Sequence, residues 1–115
     1  TASIQGCAAV DRSLGMLADH VLAKNGILFI TADHGNGEEV SNLETGEKDK
    51  EHSTNPVPFI IISNDLRGHA GPAGDPPEGD LSLMPPVGML ADVAPTMLKL
   101  MGVEQPPDMT GRPLL

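Results

Sequence analysis

The spacing of hydrophobic residues predicts a helix in the first part of the chain. Its apolar residues fall at i, i+4, i+7 and i+11: Val10, Leu14, Leu17 and Val21. This spacing gathers them on one face of a helix with 3.6 residues per turn. Asn25-Gly26 follows, and both residues tolerate the left-handed conformation that ends many helices. We therefore expect the helix to end there.

A second helix is predicted near the other end of the sequence. Its apolar residues again recur at helical spacing: Leu90, Val93, Ala94, Met97 and Met101. Pro95 is placed in the first turn, where a proline's missing N–H does no harm, and Gly102 stands where the helix should end.

Between the helices lie two short apolar runs without alternation, which predict strands covered on both faces. They are Ile-Leu-Phe-Ile at residues 27–30 and Val-Pro-Phe-Ile-Ile-Ile at residues 57–62. Pro58 fits only near the start of its strand or on an edge, because proline cannot donate to the ladder. The order helix, strand, strand, helix predicts part of an α/β layer.

Two polar stretches separate these elements within what we treat as one domain over residues 1–115. Residues 33–56 form a long polar connection, and connections of this length in compact domains are commonly functional. Residues 63–88 are rich in glycine and proline, and we expect an irregular insertion at the surface.

Composition narrows the function classes. Seven basic against sixteen acidic residues give a net charge of −9, which argues against nucleic-acid and membrane-surface partners. The lone cysteine, Cys7, cannot form an internal disulfide, which suits a reducing cytoplasm. At 39% hydrophobic, with only Phe29 and Phe59 as aromatic residues, any core must be aliphatic and rich in methionine.

Candidate chemistry begins directly after the first strand, where Thr-Ala-Asp-His-Gly-Asn occupies residues 31–36. Asp33 and His34 converge if the chain curls at Gly35, and His52 joins them only if the second strand starts where the first ends. Such strands run antiparallel. Carboxylate with imidazole suits Zn²⁺ or Mn²⁺. Spacing alone leaves two interpretations open, a metal site or a strand-end turn with an exposed loop histidine.

Several blocks resemble the bisphosphoglycerate-independent phosphoglycerate mutases, in the order that family has them. They are Thr-Ala-Asp-His-Gly-Asn-Gly-Glu-Glu (31–39), Glu-Thr-Gly-Glu (44–47), His-Ser-Thr-Asn-Pro-Val-Pro-Phe-Ile (52–60), Leu-Ala-Asp-Val-Ala-Pro-Thr-Met-Leu (90–98) and Met-Thr-Gly-Arg-Pro-Leu (109–114). The resemblance implies part of a three-layer α/β/α sandwich of the alkaline-phosphatase-like type, whose mixed sheet has one antiparallel strand.

The resemblance also implies the chemistry. Members interconvert 3-phosphoglycerate and 2-phosphoglycerate through a phosphoserine with two divalent metal ions, usually Mn²⁺, with Mg²⁺, Co²⁺ or Zn²⁺ as alternatives. Asp33 and His34 match ligands of the metal that activates the serine, and His52 matches a ligand of the second metal. Three further residues are expected to hydrogen-bond around these ligands rather than bind metal: Asn36, Glu38 and Glu39.

The match covers only the C-terminal part of such an enzyme. The family's serine nucleophile, its substrate-binding arginines and an Asp-x-x-x-His ligand pair lie upstream of these blocks, so no catalytic residue and no complete substrate site is expected in this chain. We expect an inactive fragment whose truncated sheet self-associates. The alternatives are a phosphopentomutase, another metal-dependent phosphatase of the same superfamily, or a non-catalytic metal-binding fragment.

Overall fold

The computed structural model describes residues 2–35 and 55–115. Four main elements occur in the predicted order: helix α1 (Ala2–Ala23), strand β1 (Leu28–Thr31), strand β2 (Phe59–Ile62) and helix α2 (Val93–Met101). The described residues divide into two compact units, Thr1–Gly68 and His69–Leu115. No helix of the described part is long and apolar enough to cross a membrane.

Helix α1 ends where the sequence predicts. Asn25 adopts a left-handed conformation with φ of 55°, and the Gly26 amide donates to the Val21 carbonyl at 2.9 Å. The predicted apolar face is only partly covered, because Val10 and Leu17 are 58% and 52% exposed. The half-buried residues of the helix lie about one turn apart in its second half: Leu14, Ala18, Val21 and Leu22.

The two strands pair antiparallel, as the placement of the candidate ligands requires. Leu28 lies opposite Ile62 and Thr31 opposite Phe59, so β2 begins at the end of the ladder where β1 finishes. Phe29 and Phe59 occupy diagonal positions on one face, and their rings stack with centroids 6.0 Å apart. Pro58 precedes the strand, where its missing N–H costs no ladder bond.

Asn64 ties the chain beyond β2 to the end of α1. Its side-chain Nδ2 donates to the Leu22 carbonyl at 3.1 Å and to Asn25 Oδ1 at 3.2 Å. The last carbonyls of a helix have no partner within the helix, and the Leu22 carbonyl accepts here both from this distant side chain and from the Asn25 amide.

In the second unit, a short 3₁₀ helix at Leu90–Asp92 leads directly into α2. Pro95 is the third residue of α2, within the first turn as predicted, and Gly102 ends the helix with φ of 68°. The amides of Gly102 and Val103 return to the Lys99 and Leu98 carbonyls, which closes the last turn. Two further 3₁₀ turns, Pro77–Gly79 and Leu81–Leu83, lie in the glycine- and proline-rich stretch.

The predicted aliphatic, methionine-rich core does not form among the described residues. No aliphatic, methionine or aromatic side chain there is buried, although Pro95 is, and Met16, Met89 and Met101 are at least two-thirds exposed. The buried polar side chains are Ser63, Asp92 and Thr96. The reason is geometric: a two-stranded ladder and separate helices present too little surface to enclose aliphatic groups. The described residues therefore show an α/β chain with one antiparallel pair, and the layers of the sandwich stay a prediction.

Candidate metal-binding pair

Asp33 and His34 follow β1 by two and three residues, at the end of the ladder where β2 begins. The chain bends here, and Gly35 is buried while Asp33 is exposed. On a continuing strand the two side chains would point to opposite faces. The bend instead brings the Asp33 carboxylate and the His34 imidazole to the same side.

The His34 ring lies between two oxygen atoms. Nδ1 is 3.1 Å from the Gly35 carbonyl oxygen, and Nε2 is 3.4 Å from Asp33 Oδ1. A carbonyl only accepts hydrogen bonds, so the Gly35 contact assigns the proton of a neutral ring to Nδ1. Nε2 then presents a lone pair toward a carboxylate, and a proton or a cation between them removes the repulsion.

The spacing of these two atoms fits a shared divalent ion. His34 Nε2 and Asp33 Oδ1 lie 3.4 Å apart, close enough that both would hold the same ion. The Asp33 side chain is 87% exposed and that of His34 is 34% exposed, so the pair is accessible from solvent. Carboxylate oxygen with imidazole nitrogen is a donor set that suits Zn²⁺ and Mn²⁺.

The remaining predicted site residues, which are Asn36, Glu38, Glu39 and His52, lie outside the described residues. Within residues 2–35 and 55–115, no group of three or more His, Cys, Asp or Glu side chains is arranged to hold a metal. Because Thr31 pairs with Phe59, the chain leaves β1 and enters β2 at the same end of the ladder. The second strand therefore starts where the first ends, which is the arrangement that His52 needs if it is to lie near His34. The position of His52 itself stays a prediction.

Sequence reasoning missed the contribution of Gly35. Glycine was expected only to permit the bend, whereas the structure also shows its carbonyl beside His34 Nδ1. Main-chain atoms carry no signal in a sequence motif, so this interaction could be found only from coordinates.

Comparison with known proteins places the chain in a family. The family described as the Metalloenzyme superfamily matches residues 1–105. The chain belongs to this superfamily.

Three relatives share one name. The chain is 46% identical over 114 residues to the 2,3-bisphosphoglycerate-independent phosphoglycerate mutase of Clostridium perfringens (strain SM101 / Type A). The proteins of the same name from Clostridium beijerinckii and Pseudoalteromonas translucida are 42% and 40% identical to it. Each alignment covers 99% of the chain and 19–20% of the relative, so the chain spans about one fifth of their length.

Proposed function

We propose that this chain supplies part of the divalent-metal centre of a cofactor-independent phosphoglycerate mutase. The observation that carries the proposal is the Asp33–His34 pair at the end of β1, in a chain of which 99% aligns with about one fifth of a relative of that name. The substrate would be a phosphoglycerate, bound mainly by residues outside this chain.

The role of this chain's residues follows from their geometry. Asp33 Oδ1 and His34 Nε2 would hold one ion, and the Gly35 carbonyl would keep the proton on Nδ1 so that Nε2 binds. His52 would bind the second ion, with Asn36, Glu38 and Glu39 hydrogen-bonding around the ligands.

When bound, two such ions, usually Mn²⁺, lower the pKa of an attacking hydroxyl and neutralise charge on the transferred phosphoryl group. No residue of this chain is proposed as the serine that would accept the phosphoryl group. We therefore expect the 115-residue chain alone to lack mutase activity. A cytoplasmic location fits a glycolytic enzyme and is part of the proposal.

A phosphopentomutase or another metal-dependent phosphatase of the superfamily is the second candidate, because an Asp-His pair after a strand suits those activities as well. The block at residues 52–60 and the shared name of the relatives favour the mutase. A substrate panel separates the candidates.

The decisive experiment exchanges the aligned segment of the C. perfringens relative for this chain. The chimera should interconvert 3-phosphoglycerate and 2-phosphoglycerate in the presence of Mn²⁺. His34→Ala in the chimera should lower kcat by at least about a hundredfold, because one ligand of the metal is lost.

His20→Ala is the matched control, since His20 is an exposed histidine on α1 remote in sequence from the pair. It should leave activity unchanged. A folded chimera that turns over phosphopentoses instead, or one whose mutase activity survives His34→Ala, would overturn the proposal.

A further inference from the structure

The last residues of the second unit are held by buried polar groups. Asp92 Oδ1 accepts from the Arg112 amide at 2.8 Å, and Oδ2 accepts from the Met89 amide at 2.8 Å. Asp92 is 3% exposed. One carboxylate therefore joins the segment before α2 to residues 111–115, which we call the strap.

Thr96 extends the same connection by one turn of helix. Its hydroxyl donates to the Asp92 carbonyl at 2.7 Å and accepts from the Leu114 amide at 3.0 Å. Thr96 has no exposed surface. Because the hydroxyl is donor and acceptor at once, the bond to the strap and the bond within the helix depend on one proton position.

Two glycines allow the strap to come this close. A Cβ on Gly111 would collide with the Ala91 carbonyl and lie 3.1 Å from Pro95 Cγ. A Cβ on Gly88 would lie 2.7 Å from the Leu114 side chain and 2.9 Å from Asp92 Oδ2. The Gln105 side chain donates to the Met109 and Gly111 carbonyls at 2.7 and 2.8 Å, which fixes the turn that leads into the strap.

We propose that the strap is a conformational device that opens and closes as one cooperative unit on α2, with Asp92 and Thr96 as its two coupled anchors. If one anchor is released while the other holds the strap in place, the released carboxylate or hydroxyl stays buried without its strap amide, so half-open forms are disfavoured. Opening breaks the strap contacts without breaking the backbone ladder of α2, which makes it a local transition. The proposal does not rest on the proposed mutase function.

Amide hydrogen exchange of the 115-residue chain, resolved by NMR, tests the coupling. Thr96→Val keeps the shape of the side chain but removes the hydroxyl that anchors Leu114. We expect protection to fall about tenfold at the Leu114 amide and equally at the Arg112 amide, which bonds to Asp92 and not to Thr96. Amides in the middle of α2 should keep their protection.

Thr96→Ser is the matched control, because it keeps the hydroxyl and should keep equal protection at both amides. Loss of protection at Leu114 alone, or at neither amide, contradicts the proposal. If Thr96→Val fails to fold, amide exchange of the unmodified chain at low denaturant concentrations tests the proposal instead. Arg112 and Leu114 should then exchange with the same opening free energy and the same denaturant slope, and different values contradict a single unit.

Discussion

Among the described residues, the most deeply buried side chains lie in the second unit. In the first, the ladder and α1 carry the apolar residues, yet Ile4, Val10 and Leu17 are more than half exposed. In the second, the buried side chains include an acid and an alcohol, Asp92 and Thr96, and each has hydrogen-bond partners. The first unit therefore leaves much of its apolar surface uncovered, whereas the second holds its last residues through buried polar groups.

This difference shows two ways in which a short chain specifies its structure. Hydrogen bonds to buried polar atoms are directional, so a few of them fix the strap with little apolar area. Aliphatic faces are not directional and need a covering surface. The relatives are about five times longer than this chain, and we expect their additional length to provide such a surface.

The largest expected change in assembly sharpens the comparison at the exposed face of the first unit. We predict that the isolated chain self-associates through its uncovered strands. Ile60 lies on β2 and is 39% exposed, so Ile60→Lys should weaken association about tenfold in sedimentation velocity. Leu81→Lys adds the same charge at a more exposed leucine of the second unit and should change little. A stable monomer at high concentration would contradict this prediction.

The largest expected change in stability is at the close approach of the strap in the second unit. Gly111→Ala should destabilise that unit by about 3 kcal/mol, because the new methyl group meets backbone that cannot move aside. Gly71→Ala is the control, since nothing lies within 4 Å of its added Cβ. Denaturant titration followed by the NMR signals of Arg112 and Leu114 measures both. Equal stabilities for the two variants would refute the close approach.

A smaller effect is expected at the long-range side-chain tie between Asn64 and the end of α1. Asn64→Asp keeps the shape and the acceptor oxygen but removes both Nδ2 donors to Leu22 and Asn25. We expect a loss of about 1 kcal/mol in the stability of the first unit. Asp65→Asn changes the neighbouring exposed residue as a control. Unchanged exchange protection at the end of α1 in Asn64→Asp would contradict the tie.

The smallest expected effect is the loss of stability at low pH that protonation of Asp92 causes. The amide of Arg112 and then that of Met89 hold the pKa of Asp92 below its ordinary value of 3.8, against the effect of burial, while the charge of Arg112 adds to the lowering. The unfolded carboxyl thus takes up its proton first. This contribution to stability is present above pH 3.8 and is lost as the pH falls through the lower pKa of the folded state.

Asp92→Asn should therefore flatten the dependence of strap protection on pH below 3.8. Asp80 titrates in the same direction, because the hydroxyl and amide of Ser82 lower its pKa. Asp80→Asn therefore measures how much of the pH dependence comes from Asp80. If the pH dependence persists in Asp92→Asn but vanishes in Asp80→Asn, the effect belongs to Asp80 and the prediction is wrong.

Much of the fold follows from local rules. Asn25 and Gly102 end their helices as their left-handed preferences predict, and Pro95 lies in a first turn. The antiparallel pairing followed from requiring His34 and His52 to meet. The buried state of Asp92 and Thr96 could not be predicted, because their partners are main-chain amides up to 20 residues away.

That result explains two blocks to which the sequence assigned no role. Residues 90–98 contain Asp92 and Thr96, and residues 109–114 contain the two amides that they bind. For the candidate site, residue type predicted Asp33 and His34, whereas the part played by the Gly35 carbonyl depends on backbone direction. The assignments of His52, Asn36, Glu38 and Glu39 remain predictions.

The most direct test of the metal pair is paramagnetic broadening of NMR signals by substoichiometric Mn²⁺. With a net charge of −9 the chain attracts cations broadly, so selectivity is the decisive quantity. Signals of Asp33, His34 and Gly35 should broaden first, and His34→Ala should abolish this while His20→Ala does not. Broadening that begins elsewhere, or that survives His34→Ala, would contradict a metal site built on this pair.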